Sequence, residues 1–414
     1  MHCQTIVLGA GIVGVSTALH LQARGRQVLL IDRDEPGSGT SHGNAGLIER
    51  SSVIPYAFPR QFGALLRYGL NRQPDVRYSL AHLPKAAPWL LSYWRQSAPG
   101  RVAKAAADML PLVQRCVEEH DALIEAAGLQ ALVQAKGWIE IYRDNGLFEQ
   151  AKKEVLGLAR YGLQYEILDR GALQAREQQL AGDVVGGIHW LDPKTVSNPG
   201  GLTRGYAGLF VQRGGQFLHG DARSLRRVEG GWQVDTQRGT VGADEVVACL
   251  GPQSGELFER LGYHFPLGIK RGYHMHYGTR GNAALAHAVC DTQGGYVLAP
   301  MARGVRLTTG IEFAASDDAG NEIQLRRCEA LARKLFPALG ERLDDRPWLG
   351  RRPCLPDMRP VIGPAPRHPG LWFNFGHAHH GLTLGPVSGR LLAELMTGER
   401  PFTDPAPYSA TRFD

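Results

Sequence analysis

The stretch Thr5-Ile6-Val7-Leu8-Gly9-Ala10-Gly11-Ile12-Val13-Gly14 decides the fold of this chain. A short apolar run feeds directly into G-x-G-x-x-G, and a small-residue helical pattern continues through Ser16, Ala18, Leu19 and Leu21. A second apolar run, Val28-Leu29-Leu30-Ile31, ends in Asp32. Strand, glycine turn, helix, strand and acid in this order make a dinucleotide-binding βαβ unit. Gly9 permits the tight turn, Gly11 lets backbone approach a pyrophosphate, and Gly14 lets helix and strand pack closely. Ile12 and Val13 open the helix, whose first N–H groups and positive dipole end face the phosphates. Asp32 is placed to accept hydrogen bonds from an adenosine ribose, and Arg33 either flanks it or stays solvated.

The far end of the chain says which dinucleotide is expected. Arg352-Pro353 and Pro356-Asp357 lead to Pro360-Val361-Ile362-Gly363, then a strand-like Leu371-Trp372-Phe373-Asn374. Next come Gly376-His377-Ala378-His379-His380-Gly381-Leu382-Thr383 and a helical run from Leu384 to Met396. A nicotinamide enzyme has no use for a second glycine-rich strand-to-helix turn at this end. A flavoprotein does, because its ring lies far from the ADP and its reduced form needs a helix N-terminus to stabilise negative charge.

With Ser41-His42-Gly43-Asn44-Ala45-Gly46, Lys270-Arg271-Gly272-Tyr273 and Gly350-Arg351-Arg352-Pro353 added, nearly the whole chain resembles the D-amino acid oxidase superfamily, most closely its D-amino acid dehydrogenase branch. The resemblance implies FAD as cofactor. The implied fold class is α/β with an α+β substrate domain: a Rossmann-type FAD-binding domain interleaved with an antiparallel-sheet substrate domain. Ser41, Asn44, Ala45 and Gly46 then match the loop that meets the pyrophosphate and flavin. Gly251 ends the strand under the cofactor, and Gly376, His377, Gly381, Leu382 and Thr383 hold the isoalloxazine.

At the substrate end, Arg352 matches the carboxylate-binding arginine, for which a guanidinium fork is suited. Tyr273 is expected to support the carboxylate or cap the pocket, with Arg271 a second candidate on the same segment. Tyr296 either lines the cavity or is a core tyrosine, and one or both of His379 and His380 face the substrate. His377, His379 and His380 have no Asp, Glu or Cys grouped nearby in sequence, so no metal is expected. The implied chemistry is hydride transfer from Cα of a D-amino acid to flavin N5, with no protein general base nominated. An acyclic imine then hydrolyses to keto acid and ammonia, whereas a cyclic imine persists. D-proline or its hydroxylated form is the favoured substrate, and electrons are expected to pass to a quinone or other carrier. Oxidation of glycine, sarcosine or an opine is the alternative on the same fold, and a non-catalytic flavoprotein subunit is the alternative of another class.

Bulk properties agree with a large enzyme. The 414 residues suffice for roughly two to three domains with their own cores. The net charge of +6 raises the question of nucleic acid or an anionic membrane surface. Only eight of the 46 basic residues are Lys and the Arg residues are scattered, so no nucleic-acid partner is expected. The opening apolar run lacks a basic leader and a cleavage-type site, and no stretch reaches the ~18 apolar residues of a spanning helix. A cytoplasmic location is the expectation. The aromatic and apolar segments Phe62 to Leu70 and Trp89 to Trp94 allow peripheral membrane contact. Six cysteines without CxxC spacing read as reduced thiols.

Along the chain, helices are expected over Gln61–Leu70, Val102–Ala126 and Leu202–Arg213, and an alternating strand over Lys136–Arg143. Gly215–Leu218 is expected as the third parallel strand. Ser224–Thr236 and Gly239–Ala248 read as a meander and returning strand; Gly272–Tyr277, Gly295–Leu298 and Val305–Gly310 read as further strands. These elements divide the chain into an FAD-binding domain of residues 1–50, 197–255 and 350–414 and a substrate domain of residues 51–196 and 256–349.

Overall fold

Runs that are apolar on both faces belong in the middle of a covered parallel sheet. The first such run, His2–Leu8, is central in an eight-stranded sheet in the computed structural model, which describes residues 1–413. Val28–Asp32 and Gly239–Ala248 flank it, both parallel, and Gln216–His219 adds the expected third parallel strand outside Val28–Asp32. Arg226–Val228 and Gly231–Thr236 complete the meander against Gly239–Ala248. Leu371–Phe375 joins the other side of that strand in parallel, with Val361–Pro364 antiparallel on it. Ile6, Val7, Leu8, Leu30, Val246 and Val247 are all buried, as their unbroken hydrophobicity requires.

Helix Ile12–Ala23 packs against the C-terminal helix Gly381–Thr397, and glycine makes this approach possible. A Cβ on Gly389 would sit 2.8 Å from the backbone nitrogen of Thr17. The 29-residue helix Pro99–Ala127 braces the same layer from the other side. Its His120 Nε2 lies 2.7 Å from the Leu382 carbonyl, and its Glu119 accepts from Arg390 at 2.6 Å. So residues between 51 and 196 send their longest helix to the dinucleotide half.

The second sheet has eleven strands, mostly antiparallel. Its path runs from Val76–Tyr78 through Ile311–Phe313, Gly268–Thr279, Gly304–Thr309, Tyr296–Met301, Ala288–Asp291, Trp138–Tyr142 and Gly186–Trp190 to Tyr165–Asp169. Trp348–Cys354 pairs antiparallel with Gly268–Thr279, setting Arg352 opposite Lys270. This moves one expected boundary. Gly350, the expected start of the last FAD-binding segment, sits mid-strand beneath the Trp348 ring, which a Cβ there would meet at 2.4 Å. The chain therefore leaves the second sheet after Cys354, not at residue 350. The expected helices are Phe62–Gly69, Pro99–Ala127 and Pro199–Gln212, while Leu83–Gln96, Ile323–Leu335 and Tyr165–Asp169 are additional elements.

Candidate active site

One long cavity of about 1410 Å³ runs between the two sheets. It exceeds the ~300–1,000 Å³ of a drug-sized site, as a stretched dinucleotide with a small substrate beyond it would need. At one end lie Gly9, Gly11, Ile12, Val13, Asp32 and Arg33. The middle is walled by Ser41, Asn44, Ala45 and Gly251, and the far end by Gly376, His377, Gly381, Leu382 and the substrate-side residues.

The dinucleotide end has the shape its motif requires. Gly9 has φ +103°, and a Cβ there would lie 2.4 Å from the Cys249 carbonyl oxygen. Asp32 is fixed by the Ala10 N–H at 2.6 Å and the Asp34 N–H at 3.1 Å, which holds its carboxylate at the end of the strand. The Ile12 N–H donates to Ser41 Oγ at 3.0 Å, so the second loop closes over the helix N-terminus. Arg33 is half exposed beside Asp34.

Buried groups hold the second loop in place. Arg306 donates to the carbonyls of His42 and Asn44, and through Nε to His276 Nε2 at 3.0 Å. Burial lowers the Arg306 pKa to about 10. Gly43 leaves room for the Trp348 ring, which a Cβ would meet at 1.9 Å. Gly14 packs on the Gly9 carbonyl, the close helix–strand approach expected of it, and so stands behind the wall. Two expected contacts also stand behind the wall instead of lining it: Gly46 packs on the Val196 carbonyl, and Thr383 Oγ1 accepts from the Glu49 N–H at 3.1 Å while donating to the Leu47 carbonyl at 3.2 Å.

Arg352 reaches into the cavity at the substrate end. It donates to the carbonyls of Gly310 at 2.9 Å and Thr309 at 3.2 Å, and among the described residues no carboxylate pairs with it. Burial pulls its pKa down, because the charge is desolvated without a counter-ion. The bare Cα of Gly272 gives the guanidinium its space: a Cβ there would sit 2.6 Å from Nη2. Across the strand pair, Lys270 holds Nζ 3.9 Å from the centre of the Tyr93 ring and 5.4 Å from that of Trp89.

Strand alternation corrects two expectations. Lys270 and Gly272 face the cavity, so Arg271 and the hydroxyl of Tyr273 face the other way. Arg271 is fully buried, 3.1 Å from Glu312, and donates to the carbonyls of Ala315, Asp318 and Ala319. It does not line the cavity. Tyr273 touches the wall, but its hydroxyl donates to Glu312 at 2.6 Å. Arg271→Met should therefore cost about 3–5 kcal/mol of stability, the range for breaking a buried ion pair, and leave flavin binding and substrate affinity intact. Chemical denaturation of the loaded protein, with KM measured alongside, checks this.

Tyr296 is both buried and part of the wall; burial and the neighbouring Asp291 push its phenol pKa up, so it stays neutral. His377 lies 3.1 Å from Ser388 Oγ, and burial takes its pKa down to about 3. His379 packs its ring 5.1 Å from Tyr56, and its Nε2 is buried without a partner among the described residues. Burial, then His380, Arg352 and Lys270, hold its pKa well down. His380 Nε2 lies 3.1 Å from Ser52 Oγ and 3.6 Å from a Glu49 oxygen. Sequence reading missed Lys270, Glu49 and Glu140, all of which line the cavity. Lys270 was inside a quoted motif, and Glu140 is the one polar residue of the strand W-I-E-I-Y.

The chain belongs to the FAD dependent oxidoreductase family, whose model matches residues 4–395. FAD is its cofactor, and the glycine turn, Asp32 and the second loop are the residues here that fit it. Among curated proteins, it is similar to the D-amino acid dehydrogenase of Chromohalobacter salexigens, 29% identical over 99% of both chains. It is also similar to the D-amino-acid oxidase of Bradyrhizobium diazoefficiens, 29% identical over 98% of both. Its fold is like that of glycine oxidase from Geobacillus kaustophilus, with a TM-score of 0.73 at 21% identity over 99% of each chain.

Proposed function

We propose that this chain oxidises a D-amino acid at Cα and passes the electrons to a quinone or other carrier. The observation that carries this reading is the half-buried guanidinium of Arg352, turned into the cavity with no carboxylate of its own among the described residues. A substrate carboxylate supplies the missing counter-ion, as two parallel charge-assisted hydrogen bonds. FAD supplies the hydride acceptor when bound. The chain's own residues do the positioning: Arg352 fixes the carboxylate, Lys270 adds positive potential, and Tyr56 with His379 walls the site on the side of the histidine turn. The relatives' names support the D configuration and amino acid class. The aromatic walls Tyr56 and Tyr93 support a compact ring such as D-proline or its hydroxylated form.

The helix Phe62–Gly69 supports the choice of acceptor. It buries no residue, and Phe62, Leu66 and Leu70 are 80%, 61% and 62% exposed. Arg60, Arg67 and Arg72 lie among them in sequence, and Leu65, Arg67 and Tyr68 line the cavity. An apolar, basic rim of this kind suits peripheral contact with an anionic membrane and entry of a lipid-soluble acceptor. No helix among the described residues is long and apolar enough to cross a membrane.

Turnover over a panel of D-amino acids, with glycine, sarcosine and L-enantiomers included, tests the substrate. The highest kcat/KM is expected for a cyclic D-amino acid with quinone or dye as acceptor, and peroxide should form far more slowly. Peroxide released in step with turnover in air would overturn the acceptor assignment, and preference for glycine or sarcosine would overturn the substrate.

A further inference from the structure

Two carboxylates line the same cavity as Arg352: Glu49, just after the strand Leu47–Ile48, and Glu140, in the strand Trp138–Tyr142. The Glu49 side chain is nine-tenths buried, yet its carboxylate accepts no hydrogen bond among the described residues. The nearest basic nitrogen is His380 Nε2 at 3.6 Å. The groups packed around it are neutral or acidic, namely Glu140, Tyr56, Cys290, Cys116, His379 and His380, with the cations Arg352 and Lys270 standing beyond His379. Arg50, next in the chain, turns away to donate to the Tyr161 carbonyl. A desolvated carboxylate with open lone pairs and no cation, in the same cavity as a desolvated arginine with no anion, matches the two ends of a zwitterion.

We propose that Glu49 binds the substrate's α-ammonium group and takes its proton, which presents the neutral amine for oxidation. This rests on the amino acid reading above. In the step, one N–H bond of the ammonium breaks and an O–H bond forms on Glu49. The freed nitrogen lone pair becomes the C=N π bond as the Cα hydride, with its two electrons, passes to FAD. The substrate is oxidised by two electrons and FAD is reduced by two, while the proton rests on Glu49 until solvent re-enters.

The neighbouring groups fit this assignment. Burial, and secondarily Glu140, push the Glu49 carboxyl up to about 7. His380 is lowered to about 4 by burial and His379 well below its usual value, so both are weaker bases than Glu49. Tyr56 is raised well above the usual phenol value and holds its proton. The sign follows: Glu49 is protonated and inactive below about 7, and flavin reduction speeds up as pH rises through that value.

The test is anaerobic stopped-flow reduction of the holoenzyme by D-proline and D-alanine over about pH 5–10. Wild type should show an inflection near neutrality. Glu49→Gln should lose it, and its second-order rate constant at neutral pH should fall by about 100-fold or more. Its rate should recover only in the alkaline range where the free ammonium itself ionises. Glu49→Asp should restore part of the rate, and Glu140→Gln should move the inflection to lower pH by removing the neighbouring charge. A Glu49→Gln profile that keeps the inflection and falls less than about threefold overturns the proposal. If Glu49→Gln does not take up FAD, an unshifted inflection in Glu140→Gln overturns it. Wild-type flavin that no D-amino acid reduces is a separate result, and it overturns the functional reading.

Discussion

Arg352→Ala should leave FAD bound and the fold intact while kcat/KM falls roughly 30- to 1000-fold, equivalent to about 2–4 kcal/mol. The size follows from the setting: the guanidinium is desolvated, held by two backbone carbonyls and unpaired with any carboxylate of the protein among the described residues. Its loss frees those carbonyls, which water entering the enlarged cavity can satisfy, so stability should change little. Arg352→Lys should recover only part of the rate, since a point charge cannot reproduce the planar fork. Gly272 makes the site specific to a fork, because its missing side chain is the space the guanidinium occupies. The amide of the same amino acid separates binding from structure. It should react poorly with wild type and lose little more in Arg352→Ala. Equal losses for acid and amide would show that the carboxylate anchor lies elsewhere, and Lys270, not Arg271, is then the next cation to test.

Gly11→Val should give a folded protein that has lost most of its flavin. Gly11 has φ −71° and ψ 173°, which a valine adopts without strain, and a Cβ there would be 3.4 Å from Ser41 Oγ. The backbone therefore tolerates the change, and the added methyl groups fill the space over the helix N-terminus. Weakening the charge-assisted N–H contacts this turn would offer a pyrophosphate, at about 1.5–3 kcal/mol each, should lower FAD affinity by about 100-fold or more. Gly9 would not make this test, since its φ of +103° and the Cys249 carbonyl beside it turn any side chain into a folding defect. Flavin absorbance per polypeptide after gel filtration, with circular dichroism as the control for folding, reads the result. A stoichiometric yellow Gly11→Val protein would contradict the assignment of this turn to the pyrophosphate.

The two residues show why some of the site was legible and some was not. Gly11 could be read because its motif is local: strand, turn and helix follow one another, and each glycine has a job set by its immediate neighbours. The place of Arg352 on the cavity wall could be read because it stands in the short distinctive sequence Gly350-Arg351-Arg352-Pro353. Arg271 and Tyr273 were misread by a single step of the pleat. The segment was right, but only the pairing of Gly268–Thr279 with Trp348–Cys354 shows that Lys270 and Gly272 face the cavity. Glu49 was invisible for another reason: its environment comes from segments near residues 56, 116, 140, 290 and 380, and no local pattern reports their meeting. Thr383 belonged to the expected turn, yet its hydroxyl is used to staple the helix start to Leu47 and Glu49. The boundary was expected at Gly350 because the motif Gly350-Arg351-Arg352-Pro353 begins there; the Trp348 ring that needs its bare Cα is a fact of packing.

The most direct test of the account is anaerobic titration of the purified yellow protein with single enantiomers of an amino acid panel, followed by flavin absorbance. The expected result is complete bleaching by at least one D-amino acid, no bleaching by its L-enantiomer, and return of the colour on adding a quinone. Flavin that stays oxidised with every D-amino acid, or that an L-amino acid bleaches equally well, would contradict it.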